Sequence, residues 1–117
     1  MSVSITGSSV TALASLLTNA QTGTTYTFAL TDANNTMVEL NNASSITTTI
    51  PLNSSVAFPV GSQILLLQTG AGQVTVAATG GVTLNGTPGL KLRTQWSGAT
   101  LIKRGTDTWV LLGDLSA

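Results

Sequence analysis

Residues 64–67 read Ile-Leu-Leu-Leu, with breakers on both sides: Pro59 and Gly61 before the run, Gly70 and Gly72 after it. An apolar run that short, bounded by turn formers, fits a strand buried on both faces better than a helix. Gln73 to Ala78 then alternates, with Val74, Val76 and Ala78 on one face and Gln73, Thr75 and Ala77 on the other. Two strand signals around a short glycine-containing break predict a β-hairpin turning at Gly70–Gly72. Residues 53–85 are thus the expected organising element, and Ile64–Leu67 its most buried strand.

The rest of the chain repeats this grammar. Tyr26, Phe28 and Leu30 alternate with Thr25, Thr27 and Ala29, which predicts a strand with a heavy inner face. Asp32-Ala-Asn-Asn35 predicts a turn, because Asp and Asn side chains hydrogen-bond their own backbone. Val38 and Leu40 face inward on the next strand, and Ile46, Thr48, Ile50 and Leu52 line one face of another. Thr100–Lys103 and Thr108–Leu112 predict a hairpin around Arg104–Asp107. Such signals recur about every 8–12 residues, the spacing of a β-sandwich or barrel. The expected class is all-β: an antiparallel sandwich or small barrel built from hairpins. At most one short helical turn is expected, over Val10–Leu17. Residues 1–24 are uncharged and read as a polar arm, leaving residues 25–117 as the β module.

Composition excludes most chemistry. The chain has no histidine and no cysteine, so histidine general acid–base work, thiolate metal sites and disulfides are ruled out. Its carboxylate side chains are Asp32, Glu39, Asp107 and Asp114, too few and too scattered to predict a paired acid and base. Gly70-Ala-Gly72 and Gly80-Gly81 lack the Lys-Ser/Thr that follows a phosphate loop. No enzymatic activity and no cofactor or metal is expected. Lys91, Arg93, Lys103 and Arg104 are the whole basic complement, which argues against nucleic acid, whose binding comes largely from neutralising phosphates. Neither a secretory leader nor a membrane span is expected.

Charged residues make up 7% of the chain and hydrophobic ones 42%. A surface so poor in charge gives little electrostatic protection against association, so copies of the chain or another protein are expected to cover much of it. Trp109 is expected in the core, and the Lys and Arg stems over sheet edges with their heads in water. Trp96 differs, since Gln95-Trp-Ser-Gly98 reads as a loop, and a loop tryptophan is a natural partner contact. Trp96, Gln95, Lys91 and Arg93 are therefore the expected contact residues.

Several stretches resemble one known module. They are Leu30-Thr-Asp-Ala33, Asn41-Asn-Ala-Ser44, Asn53-Ser-Ser-Val-Ala-Phe-Pro-Val-Gly61, Gln68-Thr-Gly-Ala-Gly72, Leu90-Lys-Leu-Arg93, Gln95-Trp-Ser97, Ala99-Thr-Leu-Ile-Lys103 and Trp109-Val-Leu-Leu-Gly-Asp-Leu115. In this order they resemble a module found at the C-terminus of tailed-bacteriophage virion proteins, over roughly residues 20–117. The resemblance implies a non-enzymatic structural protein of the virion and carries no catalytic residues. A β module behind only about twenty residues looks like a capsid decoration (cement) protein. What that implies is a homotrimer on the outer surface of the head, bound to the major capsid protein, with neither nucleic acid nor membrane as partner. The alternative is a tail or head-fibre tip that binds a host surface glycan.

Overall fold

The computed structural model describes residues 15–117, whose regular structure is all strand but for one 3-10 turn. In chain order these are β1 (Leu17–Gln21), β2 (Thr25–Thr27), a short 3-10 helix (Leu30–Ala33), β3 (Thr36–Leu40), β4 (Ile46–Ile50), β5 (Gln63–Gln68) and β6 (Val74–Ala78). Then come β7 (Thr83–Gly86), β8 (Lys91–Leu92), β9 (Gly98–Gly105), β10 (Thr108–Gly113) and β11 (Leu115–Ser116). The all-β expectation holds.

The chain alternates between two sheets. One has the order β1-β3-β5-β9-β10-β7, the other β11-β8-β6-β4-β2. From β1 to β6 each strand pairs in parallel with the strand two further on: β1 with β3, β3 with β5, β2 with β4, β4 with β6. The chain therefore winds like a solenoid, each turn laying one strand on each sheet. β9 then closes the first ladder by pairing antiparallel with β5, and β8 closes the second on β6.

This overturns the central hairpin. β5 and β6 lie in different sheets, and residues 69–73 form a corner between the layers. The expected antiparallel, hairpin-built sandwich or barrel gives way to a solenoid-like winding with parallel ladders. The physical reason is that alternation fixes which face a residue occupies but not which strand lies beside it. The β9–β10 hairpin forms as expected, with a register shift at its tip.

The corners stack as the strands do. Gly72 N–H donates to the Asn42 carbonyl at 2.7 Å, and Thr69 N–H to the Leu40 carbonyl at 2.9 Å. A Cβ on Gly70 would lie 2.6 Å from Asn41 Oδ1, and one on Gly72 would overlap the Ser44 carbonyl. These glycines let two backbone corners touch; they are not hairpin turns.

The core lies between the layers. Val38, Leu40, Ile64, Leu66, Leu101, Trp109 and Leu111 from the six-stranded sheet meet Ile46, Ile50, Val74, Val76 and Leu92 from the other. Phe58, from the β4–β5 connection, packs edge-on against Trp109 with ring centroids 5.3 Å apart. Three side chains depart from expectation. Leu30 is exposed on the 3-10 helix instead of lining a strand. Asp32, expected in a turn, is buried on the 3-10 helix. It accepts from Asn19 Nδ2 at 2.8 Å, the Tyr26 hydroxyl at 2.6 Å and Ala29 N–H at 2.8 Å. Lys103, expected with its head in water, is 2% exposed. Its Nζ donates to Asn53 Oδ1 at 2.6 Å and to the Phe58 carbonyl at 2.7 Å.

Residues 17–21, read from sequence as part of the arm, form β1 and pair with β3 along its length. Of the expected helical turn over Val10–Leu17, residues 10–14 lie outside the described residues, and Leu17 begins β1.

Candidate functional site

Of the expected contact residues, Arg93, Gln95 and Trp96 belong to the corner that takes the chain from β8 to β9. Lys91 stands exposed on β8, on the same side as Arg93, since Leu92 between them is buried. In register, Lys91 neighbours Thr75 on one side and Ser116 on the other.

The corner is held by many bonds. Ser97 N–H donates to the Thr94 carbonyl at 3.0 Å, and Thr94 N–H to Ser97 Oγ at 3.1 Å, closing a tight turn. Ser97 Oγ donates onward to Asp114 Oδ2 at 2.7 Å. Arg93 grips the same carboxylate with two parallel bonds, Nε to Oδ1 at 2.8 Å and its second nitrogen to Oδ2 at 2.9 Å. This fork fixes orientation as well as charge. From the other side, Trp96 N–H donates to the Gln68 carbonyl at 2.7 Å and Gln95 Nε2 to the Thr69 carbonyl at 2.9 Å. Gln68 is itself buried, its Oε1 accepting from Val74 N–H at 3.0 Å.

Inside this frame Trp96 has φ +72°. The left-handed region suits glycine or asparagine at the third position of a turn; a bulky residue there is strained. Such strain costs about 1–3 kcal/mol and persists only where the surroundings over-determine it. The side chain gains no burial in return, being 67% exposed. Trp96 is thus a large aromatic in a conformation that disfavours it, presented to solvent from a hydrogen-bonded corner.

The electrostatics serve the frame. The Arg93 fork, followed by the Ser97 hydroxyl, holds the Asp114 carboxyl below its ordinary value, and Asp114 raises the Arg93 guanidinium in turn. Asp114, Ser97 and Gln68 escaped the sequence reading. Their partners stand 17–29 residues or more away in the chain or depend on which corners stack, and only the Ser at the end of a predicted turn was a local signal.

A second polar cluster faces inward. Tyr26 and Asp32 are spent on one another, and burial, then the bond to Asp32, push the Tyr26 hydroxyl up to about 12. Among the described residues no group of three or more acidic side chains is placed to hold a metal ion. Neither protein-family models nor curated proteins give a match to this chain.

Proposed function

We propose that this chain is a non-enzymatic structural protein of a bacteriophage virion, a capsid decoration protein that binds the outer head surface as an oligomer and stabilises the shell. The observation that carries the reading is Trp96, strained, exposed and braced on both sides by corner backbone. A catalytic cleft needs convergent titratable groups; this corner offers instead a rigid aromatic with one ion pair beside it. Rigid aromatic anchors at the centre of a contact carry most of its affinity. The outer face of the five-stranded sheet extends from this corner through Lys91, Thr75, Thr47 and Thr25, a row whose one charge is Lys91. Such a face suits broad contact with a capsid subunit.

Exposure of Trp96 also favours the second reading, a fibre tip that stacks a host glycan on its ring. Against it, Tyr26 is committed to Asp32 and the Gln95 amide to the Thr69 carbonyl, which leaves little for sugar hydroxyls. Counting copies on labelled particles by electron microscopy separates the two. Hundreds per particle, spread over the head, support decoration. A handful at the tail refutes it.

A further inference from the structure

The two outer faces of this solenoid differ in chemistry. On the six-stranded sheet, register sets Met37 beside Leu65, Leu65 beside Thr100 and Thr100 beside Leu112. The neighbouring rows bring Gln63, Ile102 and Val110 together on one side, and Glu39 and Leu67 on the other. These positions alternate with buried Val38, Ile64, Leu66, Leu101 and Leu111, so their side chains point away from the core. Met37, Leu65, Leu67, Ile102, Val110 and Leu112 therefore share one outward face, Leu112 being 52% exposed. On the five-stranded sheet the equivalent rows are Thr25, Thr47, Thr75 and Thr27, Thr49, Ala77. One face is dressed in hydroxyls; the other is largely aliphatic.

We propose that the outer face of the six-stranded sheet is where identical copies of this chain meet. Six strands at about 4.8 Å and five residues at about 3.3 Å span a face near 480 Å² in projection, of which the apolar rows on β3, β5, β9 and β10 make up about two thirds, before side-chain relief is added. That approaches the roughly 800 Å² per partner of a standard interface. A single covering segment would be too narrow, since even a helix lays down a strip only about 10 Å wide. The relief is present too. Gln63 and Leu65 wall a cavity of about 330 Å³ with Leu16 and Ala33, and Val110 and Leu112 wall one of about 300 Å³ beside Gly86.

Charge selects the occupant. Glu39 lies at the end of the face next to Leu67, and Arg104 stands exposed toward the other end, where the β9–β10 register shifts. A copy turned end over end sets each Glu39 against the other's Arg104 around the apolar centre. The face is thus complementary to itself, as a two-fold interface between identical subunits requires.

The inference rests on the oligomeric reading above, but its test uses purified full-length protein without particles, so failure to assemble and failure to attach are read separately. Analytical ultracentrifugation at micromolar concentration should find more than one chain per particle. Leu65→Glu should raise the dissociation constant about thirtyfold or more, a hot-spot loss, with the strand circular dichroism unchanged. Should Leu65→Glu misfold, the charges still decide. Glu39→Arg and Arg104→Glu should each weaken assembly, and mixing the two variants should restore it. A monomeric wild type overturns the proposal, as does a monomer that assembles only once residues 1–14 are removed, since the chain would then cover its own face. Charge reversals that neither weaken nor rescue assembly overturn it equally.

Discussion

Trp96 is where stability and function pull apart. Its left-handed φ is a cost that glycine would not bear, and its ring contributes little to the core. Trp96→Gly should therefore leave the fold intact and raise stability by about 1 kcal/mol, the relieved strain less the added freedom of the unfolded chain. The same change should weaken attachment to particles at least tenfold. Urea unfolding and a particle-binding assay read the two effects, and a destabilised variant with normal attachment would refute the contact role. Tyr26 gives a sharper signature. Its hydroxyl ordinarily ionises near 10 and in the fold near 12, so the folded state holds the proton more tightly. Its contribution is fully present below pH 10 and is lost as pH rises from 10 to 12, because the unfolded chain ionises first. The stability gap between wild type and Tyr26→Phe should stay constant below pH 10 and narrow across that window. The variant should also be less stable at neutral pH by about 1–3 kcal/mol, since buried Asp32 loses a donor.

At the scale of elements, the corners decide the winding. Gly72 is pressed on the Ser44 carbonyl, so Gly72→Ala must push two stacked corners apart. A loss of about 3 kcal/mol is expected, at the upper end for overpacking because backbone cannot repack as a side chain can. Equilibrium denaturation measures it, and a loss under about 0.5 kcal/mol would mean that the corners are not in contact. The same glycines show what was legible in the sequence. Val38 and Leu40 are placed inward by parity, and Val74 and Val76 on one shared face, and all four are buried. The continuous run Ile64–Leu67 reads as buried on both faces, yet Leu65 and Leu67 are only half-buried, because the outer face of β5 has no third layer over it among the described residues. Which strands are neighbours was not legible, because a glycine that turns a hairpin and one that lets two corners touch look alike in a string. The solenoid also hides its repeat: Leu17 stacks on Thr36 but Met37 on Leu65, and Thr25 on Thr47 but Ile46 on Val74. Lys103 misled for the same reason. The acceptors that let it be buried, Asn53 and the Phe58 carbonyl, come from a distant connection between β4 and β5.

The whole molecule has two unlike ends. β8 and β9 close the far side of the parallel ladders with antiparallel strands, whereas among the described residues β1 and β2 form open edges. β2 is three residues long and threonine-rich, a short edge of the kind that resists unwanted pairing. β1 is guarded differently, by being tied inward. Asn19 on β1 donates to buried Asp32 and to the Tyr26 hydroxyl, while Gln21 Nε2 donates back to Asn19 Oδ1. The first solenoid turn is thus locked to the 3-10 helix, through side chains that sequence alone assigned to a separable arm and a turn. A dispensable arm and an integral strand predict opposite results on truncation. A chain starting at residue 15 keeps β1, and one starting at residue 23 loses it. Removing β1 bares the edge of β3 and leaves the Asp32 carboxylate without one of its three donors, a defect worth about 3 kcal/mol or more for a buried charge. The shorter chain should accordingly melt about 10 °C or more below the longer one. Equal melting temperatures would return residues 17–21 to the arm.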